Sequence, residues 1–295
     1  MPNRPDSPDR PDRADRPDSP ARPDGPGAPE GRDAATPSLQ VRALALGYGT
    51  QVVQHDLSFD VNARSIFAIM GVSGCGKSTL LHSLMGLLRP SAGTVCFQGH
   101  DYWSFDIAKR AEIGRRFGVL FQTSALWSAM TASQNVALPL QMFTKLDAGS
   151  IDALVQMKLA LVGLDAGWTS KPSDLSGGMS KRVGIARAIA LDPDILFLDE
   201  PSAGLDPISA KRLDDLILEL RDGFGMTVVM VSHDLPSLLA ICDDGVFLDA
   251  ATHTLIAHGS PKNLQAGCTD STVCAFMNRT SAASAKDAKA GHANP

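Results

Sequence analysis

Three short runs of uninterrupted apolar residues predict buried β-strands. The first, Ser65–Met70, is bounded by Asn62 and Gly71, and the others are Ile195–Leu198 and Thr227–Val231. Continuous apolar runs are typical of strands covered on both faces, whereas strands with one wet face alternate apolar and polar residues. Helical patterns precede the second and third runs, and this alternation of strands with helices indicates an α/β fold with a parallel sheet.

Two stretches have the spacing of helices. Ser78–Leu88 places leucines three and four residues apart, and Pro90 with Gly93 is expected to end the helix. In the second stretch, from Thr131 to about Gly167, apolar residues recur at helical spacing over a length that interrupts the alternation of strands and helices. We therefore predict a helical insertion over about residues 123–174.

Both ends of the chain differ in composition from the part between them. Arg-Pro-Asp recurs every six residues from Arg4 to Arg22, and apolar side chains are nearly absent from residues 1–38. Such a segment cannot bury enough apolar area to offset its ordering entropy, so we predict a disordered arm. Its composition favours a solvated tail, and a docking arm for another protein is the alternative. Residues 39–265 form the predicted main domain, and 266–295 a C-terminal extension with a loose tail from Thr280.

The charge balance excludes one large class of partner. The chain of 295 residues has 27 Lys and Arg against 32 Asp and Glu, whereas nucleic-acid binding needs a surplus of clustered basic side chains. We therefore expect no nucleic-acid partner. The sequence contains no apolar run long enough for a spanning helix and no pattern of a secretory signal, so we expect a cytoplasmic chain that does not itself cross the membrane.

The cysteines predict neither a disulfide framework nor a zinc site. They are odd in number, scattered along the chain and without a C-x-x-C pair: Cys75, Cys96, Cys242, Cys268 and Cys274. Reduced thiols agree with a cytoplasmic location, so we expect all five to be free.

A glycine-rich loop between a predicted strand and a predicted helix carries the first chemistry. Residues 71–78 match G-x-x-x-x-G-K-[ST], a loop whose backbone N–H groups converge on phosphate oxygens. Lys77 is expected to reach the β- and γ-phosphates, and Ser78 to ligate Mg²⁺. The side chain of Cys75 is expected to be incidental. The predicted phosphate-binding residues are Gly71, Ser73, Gly74, Cys75, Gly76, Lys77, Ser78 and Thr79.

Two acidic residues end the second predicted strand. Asp199 is placed to hold Mg²⁺, and Glu200, one residue later, to accept a proton from an attacking water. Together with the phosphate loop, this pair indicates nucleotide hydrolysis.

Further motifs, in order along the chain, resemble those of ATP-binding-cassette (ABC) nucleotide-binding domains. Gln122 resembles the Q-loop residue, Leu175–Met179 the signature motif, Ala203–Asp206 the D-loop, Val231–Asp234 the H-switch, and Tyr48 the residue on which adenine stacks. The resemblance implies an α/β fold: a P-loop NTPase (RecA-like) core with a parallel sheet, an ABC antiparallel β region and an inserted α-helical subdomain.

The resemblance also implies roles for individual residues. Ser176, Gly177 and Gly178 would face the γ-phosphate held by the other protomer of a homodimer that encloses two ATP, with Asp206 in the D-loop nearby. His233 would contact the γ-phosphate and position water, while Gln122 would sense Mg²⁺ and water. The implied cofactors are ATP and Mg²⁺, and the implied catalytic residues are Glu200, His233, Gln122 and Lys77. We expect Lys181 and Arg182 to form a solvated helical face, although they could hold a partner loop.

Met179 stands where the signature motif most often has Gln. Followed by Ser180–Ala188, it resembles the ATPases of Mla-type, MCE-associated phospholipid transport, and so do Phe121–Trp127 and Asn135–Pro139, although Trp127 stands where Phe is expected. The resemblance implies an integral-membrane permease and an MCE-type lipid-binding protein as partners, and a peripheral position on the inner face of the inner membrane. The alternatives are the ATPase of an amino-acid or other small-nutrient importer, whose motifs differ mainly around 121–140, and a soluble ABC assembly factor.

Overall fold

The computed structural model of the protein describes residues 37–164 and 168–279. The predicted Arg-Pro-Asp arm, except for its last two residues, and the predicted tail from Thr280 lie outside the described residues. The strands are β1 (Leu39–Tyr48), β2 (Gln51–Val61), β3 (Ile66–Gly71), β4 (Ala92–Phe97), β5 (His100–Asp101), β6 (Phe117–Leu120), β7 (Ile195–Asp199), β8 (Thr227–Val231), β9 (Asp244–Leu248) and β10 (Leu255–His258). The helices are α1 (Lys77–Leu84), α2 (Ile107–Gly114), α3 (Ala132–Phe143), α4 (Ala148–Leu161), α5 (Gly177–Ala188), α6 (Pro207–Phe224), α7 (Leu235–Ile241), α8 (Pro261–Gly267) and α9 (Ser271–Met277).

The larger of the two sheets is mostly parallel. Its strand order is β10-β9-β3-β8-β7-β6, and only the edge pair β10 and β9 is antiparallel. Since β3, β8 and β7 are neighbours in register, their carboxyl ends meet at one edge of the sheet, and the predicted chemistry follows these ends. The predicted parallel sheet is confirmed, with the first strand shifted by one residue to Ile66–Gly71 and the second extended to Asp199.

Both faces of the parallel sheet are buried. Along β3, Ile66, Ala68 and Met70 belong to the core shared with the helices of the insertion and with α6 and α7. Phe67 and Ile69 point into a second core, which is shared with α1 and with the antiparallel sheet. This division explains why the strand is apolar at every position.

The smaller sheet is antiparallel, in the order β2-β1-β4-β5. Its buried residues, among them Val41, Leu44 and Leu57, cover the second core. A parallel core sheet, an antiparallel region and a helical insertion together confirm the fold class expected from the resemblance.

The helix after the phosphate loop is shorter than predicted. We predicted Ser78–Leu88, and α1 spans Lys77–Leu84. Gly86 adopts φ 75°, a left-handed conformation that ends helices, and Leu87 is exposed although its spacing predicted a buried position.

The helical insertion contains α3 and α4, and α5 leads back to the sheet. Thr131 and Gln134 form a capping box at the start of α3, in which each side chain accepts a hydrogen bond from the other residue's backbone N–H. The buried side chain of Asn135 accepts from the N–H of Trp127 at 2.8 Å and donates to the carbonyl of Thr131 at 2.9 Å. The insertion is therefore tied to the segment that follows β6.

The C-terminal extension packs on its own chain. In α9, Val273 and Met277 are buried in the core, and the ring of Phe276 lies 5.1 Å from that of Phe247. Our expectation of five free thiols is wrong: a disulfide joins Cys268 to Cys274. A spacing of six matches no motif that we applied, but the turn into α9 brings the two Cα atoms to 5.4 Å, within disulfide range.

Candidate functional site

The phosphate loop connects β3 to α1 and requires glycine at two positions. Gly71 has φ 143°, and a Cβ there would lie 2.5 Å from the carbonyl oxygen of Leu248. Gly76, the residue before α1, has φ 94°, and a Cβ there would lie 2.7 Å from Val53. Close approach of neighbouring chain segments therefore fixes both glycines, in addition to their left-handed conformations.

The other loop residues are arranged around this turn. Lys77 Nζ donates to the carbonyls of Gly71 and Val72, both at 2.9 Å. Ser73, Gly74 and Ser78 are exposed, and Thr79 is half-buried. The loop thus presents polar groups to solvent beside the amino end of a helix, which is a favourable place for anions.

That the side chain of Cys75 is incidental to phosphate binding stays a prediction, but the side chain has a structural role. It is 2% exposed and packs in the second core, where its Sγ would lie 2.6 Å from a Cβ at position 71. Burial raises the pKa of the thiol. The thiol is therefore part of the packing that holds the loop.

Gln54 is a contributor to the site that the sequence analysis missed. Its fully buried Nε2 donates to the carbonyl of Cys75 at 2.7 Å and to that of Asp249 at 2.9 Å. The side chain thus links the phosphate loop to β2 and to the end of β9. Tyr48, at the end of β1 in the same hairpin, is 54% exposed and presents its ring to solvent, as adenine stacking would require.

Asp199 and Glu200 differ in environment. Burial, and next the charge of Glu200, raises the pKa of Asp199, and its Oδ1 is buried without a hydrogen-bond partner in the part of the chain that the structure describes. Glu200 is half-buried, with its N–H donating to the carbonyl of Val231 at 2.9 Å. Its Oε2 lies 2.7 Å from Nδ1 of His233.

The contact between Glu200 and His233 defines what this pair can do. When Nδ1 carries the proton and donates to the carboxylate, Nε2 of the exposed imidazole is free to accept a hydrogen bond from a ligand or a water. One imidazole therefore orients the carboxylate and presents a second polar atom outward.

Gln122 follows β6, the neighbour of β7, and its side chain is exposed. Its carbonyl accepts a hydrogen bond from Lys181 Nζ, which also donates to the carbonyl of Glu200 at 3.2 Å. Our expectation that Lys181 is solvated is wrong, because the side chain is 5% exposed. Arg182, which we had grouped with it, donates to the carbonyl of Val162.

The signature residues lie at a different place from the phosphate loop. Ser176 caps α5 by accepting from the N–H of Met179 at 3.3 Å, and Gly177 and Gly178 form the first turn. They border an open cavity of about 660 Å³ whose lining includes Ser176, Gly178, Met179, Arg182, Ser209 and Arg212, and no residue of the phosphate loop.

Asp206 caps α6 beside this cavity. Its carboxylate accepts from the N–H groups of Ile208 and Ser209 at 3.0 Å and from Ser209 Oγ at 2.6 Å, which lowers the pKa of Asp206. The predicted site residues therefore fall into two groups. Hydrogen bonds join Glu200 to His233, and Lys181 links Glu200 to Gln122, whereas Ser176 and Gly178 line a separate cavity. The D-loop lies between the groups, since the N–H of Ala203 donates to the carbonyl of Glu200 at 3.2 Å and Asp206 caps α6.

The sequence matches the ABC transporter family over residues 54–203. It is 40% identical over 228 residues to the intermembrane phospholipid transport system ATP-binding protein MlaF of Escherichia coli K12, covering 77% of this chain and 84% of MlaF. It is 38% identical over 198 residues to the probable ribonucleotide transport ATP-binding protein mkl of Mycobacterium leprae, covering 67% of this chain and 57% of mkl.

The fold is similar to that of a solved dimeric cassette. The ATP-binding cassette MJ0796, in a post-hydrolysis state with ADP and Pi, superposes with a TM-score of 0.68 at 26% identity, covering 75% of this chain and 97% of that one. The family match, the identity to MlaF and the arrangement of the motifs agree, and the chain belongs to the ABC transporter family of ATP-binding proteins.

Proposed function

We propose that this ABC ATPase drives phospholipid transport through an integral-membrane permease, from a peripheral position on the inner face of the inner membrane. The observation that carries the proposal is the 40% identity to a phospholipid transport ATP-binding protein along 84% of that protein's length. Met179 and the segments Phe121–Trp127 and Asn135–Pro139, which resemble the Mla type, support the same cargo.

ATP would be held by Tyr48 and the phosphate loop, with Lys77 on the β- and γ-phosphates. The donors for Mg²⁺ would be Ser78, Gln122 and Asp199, and the metal would neutralise charge on the phosphates. The fit is supported by the buried, unpartnered Oδ1 of Asp199, since a buried carboxylate oxygen is costly unless a donor or a cation satisfies it.

Glu200 would act as the general base that takes a proton from the attacking water. Four residues hold it for this role. Its N–H donates to Val231, its carbonyl accepts from Lys181 and from the N–H of Ala203, and its carboxylate contacts His233. His233 would present Nε2 to the γ-phosphate or to the water. A fixed carboxylate and a fixed imidazole lower the cost of orienting water at the moment of reaction.

Two copies of the chain would complete each site. The signature residues Ser176 and Gly178 line a cavity that contains no residue of the phosphate loop, so one copy alone would not place both motifs around one γ-phosphate. The dimeric cassette of similar fold supports a homodimer. The family resemblance implies that each signature motif would face the phosphate loop of the other copy.

The permease would dock in the groove between the sheet and the helical insertion. A cavity of about 610 Å³ there is lined mainly by apolar side chains, including Phe121, Trp127, Pro139 and Phe143. Trp127 is 61% exposed, and Phe143 is exposed beside the guanidinium of Arg115. Exposed aromatic residues of this kind mark interaction surfaces.

One of the similar proteins favours a different cargo. The match to mkl, whose name gives ribonucleotide transport, favours a nucleotide or another small nutrient. A soluble assembly factor without a permease is a third possibility. Membrane association and the identity of the permease separate all three.

The test is a mild-detergent pull-down of the tagged chain from native membranes, with mass spectrometry of the bound proteins and lipids. We expect a permease, an MCE-type lipid-binding protein and phospholipid. Trp127→Ala with Phe143→Ser should abolish recovery of the permease, whereas the control Phe224→Ser, an exposed residue at the end of α6, should not. Recovery of a nutrient permease would reject the lipid cargo, and the absence of any membrane protein would reject the transporter.

A further inference from the structure

Lys181 is a buried cation whose partners belong to other motifs. It lies in α5, four residues after the first helical residue Gly177, so it is part of the signature helix. Its ammonium donates to the carbonyl of Gln122, after β6, and to the carbonyl of Glu200, after β7. One side chain therefore connects the signature helix, the Q-loop and the general base.

Burying an ammonium is costly unless its donors are satisfied. Burial lowers the pKa of Lys181, while the nearby carboxylates of Asp199 and Glu200 oppose this shift. Within residues 37–164 and 168–279, Nζ donates to two backbone carbonyls and forms no ion pair. What it does is hold two chain segments at fixed positions.

The backbone of Glu200 is the part that most needs to be held in position. Its φ of 49° is a left-handed conformation that non-glycine residues rarely adopt. The N–H of Glu200 donates to Val231, and its carbonyl accepts from Lys181 and from the N–H of Ala203, both at 3.2 Å. The peptide groups on both sides of its Cα are therefore held. Of the two donors to the carbonyl, only Lys181 comes from the signature helix and also bonds to the Q-loop.

We propose that Lys181 is a positioning residue for ATP hydrolysis, which aligns Glu200 and transmits the position of the signature helix to it and to the Q-loop. A shift of α5 relative to the sheet would move the ammonium, and with it both carbonyls. This role rests on the proposed function of Glu200 as general base and does not depend on which cargo is transported.

The test compares Lys181→Met, which removes the donors, and Lys181→Gln, which keeps shorter, uncharged donors. The control is Lys211→Met, because Lys211 is an exposed lysine paired with Asp215. In the full-length protein we expect kcat to fall about tenfold for Lys181→Met and about threefold for Lys181→Gln, because the variants lose hydrogen bonds from a charged donor. The KM and Kd for ATP should stay within about twofold of the wild-type values. The control should match wild type.

Hydrogen exchange provides a readout that does not depend on turnover. The amides around Gln122 and Glu200 should exchange faster in both Lys181 variants than in the control, while Tm stays near that of wild type. Should Lys181→Met fail to fold, Lys181→Gln decides the question by itself. Wild-type kcat and exchange in Lys181→Gln would overturn the proposal, and so would a parallel loss of kcat, ATP affinity and Tm, which would indicate a structural role only.

Discussion

At the scale of single residues, Glu200, the proposed general base, combines an unusual backbone with ordinary chemistry. A left-handed conformation at a residue other than glycine costs about 1 kcal/mol or more, and it persists where the surroundings hold it. Around Glu200 these surroundings are Val231, Lys181, Ala203 and His233. Several parts of the fold therefore place the carboxylate, which predicts that its chemistry can be removed without disturbing its position.

Glu200→Gln should retain ATP binding and lose turnover. The amide has nearly the same shape and can still accept from His233 through its oxygen, but it cannot take a proton, so we expect hydrolysis to fall by about 100-fold or more. ATP binding by equilibrium titration and phosphate release measure the two effects separately. Glu219→Gln, on the exposed face of α6, serves as the control. An active Glu200→Gln enzyme would remove Glu200 as the base.

A second residue-scale feature is a hydroxyl shared by two carboxyl groups. Ser237 Oγ lies 2.8 Å from Oδ2 of the buried Asp214 and 3.0 Å from Oδ2 of Asp234. The two carboxyl groups share one hydroxyl donor, so a carboxylate at Asp214 is incompletely satisfied. Burial raises the pKa of Asp214, whereas Asp234 is closer to solvent and faces Arg279. Asp214 therefore takes up a proton at a higher pH than an ordinary aspartate does.

Asp214→Asn should therefore stabilise the protein increasingly as pH rises. A carboxyl whose folded pKa is raised contributes its full stability below the unfolded pKa, near 3.8, and loses it as pH rises toward the folded pKa. The amide is uncharged at every pH. We expect the Tm of the variant minus that of wild type to be larger at pH 8 than at pH 4. A difference in Tm that is independent of pH, or that matches the exposed control Asp215→Asn, would contradict the raised pKa.

At the scale of elements, an ion pair between a buried lysine and an exposed aspartate connects the helical insertion to the sheet. Lys158, in α4, is 2% exposed, and its ammonium contacts the exposed carboxylate of Asp192 shortly before β7. The pair thus connects the insertion with the strand that ends in Asp199. Only the lysine is removed from water, so it bears almost the whole cost of desolvation. Mutating Lys158 and mutating Asp192 should therefore change the free energy of unfolding by different amounts.

Asp192→Asn should destabilise the protein by about 2 kcal/mol or more, because it leaves a buried ammonium without its counter-charge. Lys158→Met should change the free energy of unfolding by less than about 1 kcal/mol, because it removes the buried charge and leaves an exposed carboxylate in water. Asn also tolerates the left-handed backbone at position 192, where φ is 50°. Denaturant titration measures both variants, and equal losses would contradict the asymmetry.

Elements built from local patterns could be predicted from the sequence, and contacts between distant segments could not. The apolar runs gave three strands of the parallel sheet within one residue at each end, because each run is buried on both faces. The end of α1 was misplaced, since Leu87 continues the helical spacing after Gly86 has already turned the chain. The disulfide in the C-terminal extension was missed for a related reason, because only the turn before α9 brings its cysteines together.

The residues of the candidate site also divide into those that the sequence predicts and those that it does not. The loop and motif residues follow from spacing and from the resemblance to a family. Lys181 and Gln54 do not, because their partners lie up to 59 and 195 residues away in sequence, and nothing in the local pattern marks this lysine as buried. The left-handed conformation of Glu200 was equally hidden, since glycine is the usual residue for it.

At the scale of the whole molecule, the two faces of the chain predict complementation between inactive copies. If each ATP lies between the phosphate loop of one copy and the signature motif of the other, Lys77→Ala and Gly178→Asp damage opposite sides of the site. A mixed dimer then has one intact site and one doubly damaged site. With half of the dimers mixed, an equal mixture should recover up to about a quarter of wild-type hydrolysis.

Each variant alone is the control and should be inactive. Gly178→Asp should fold normally, because a Cβ at this position would have only van der Waals contacts, 3.7 Å from Ser209. No recovery across a range of mixing ratios and ATP concentrations would mean that both motifs act within one copy, which would reject the proposed homodimer.

The contacts of Lys77 bear on how ATP affinity should be understood. Its ammonium has three N–H donors, and two of them go to carbonyls of its own loop. One donor is left for a phosphate, so a bound nucleotide would gain a bond while the loop keeps its own. If ATP binds here, Lys77 closes the loop before ATP arrives, and a Lys77 variant should lose the shape of the loop as well as one phosphate contact.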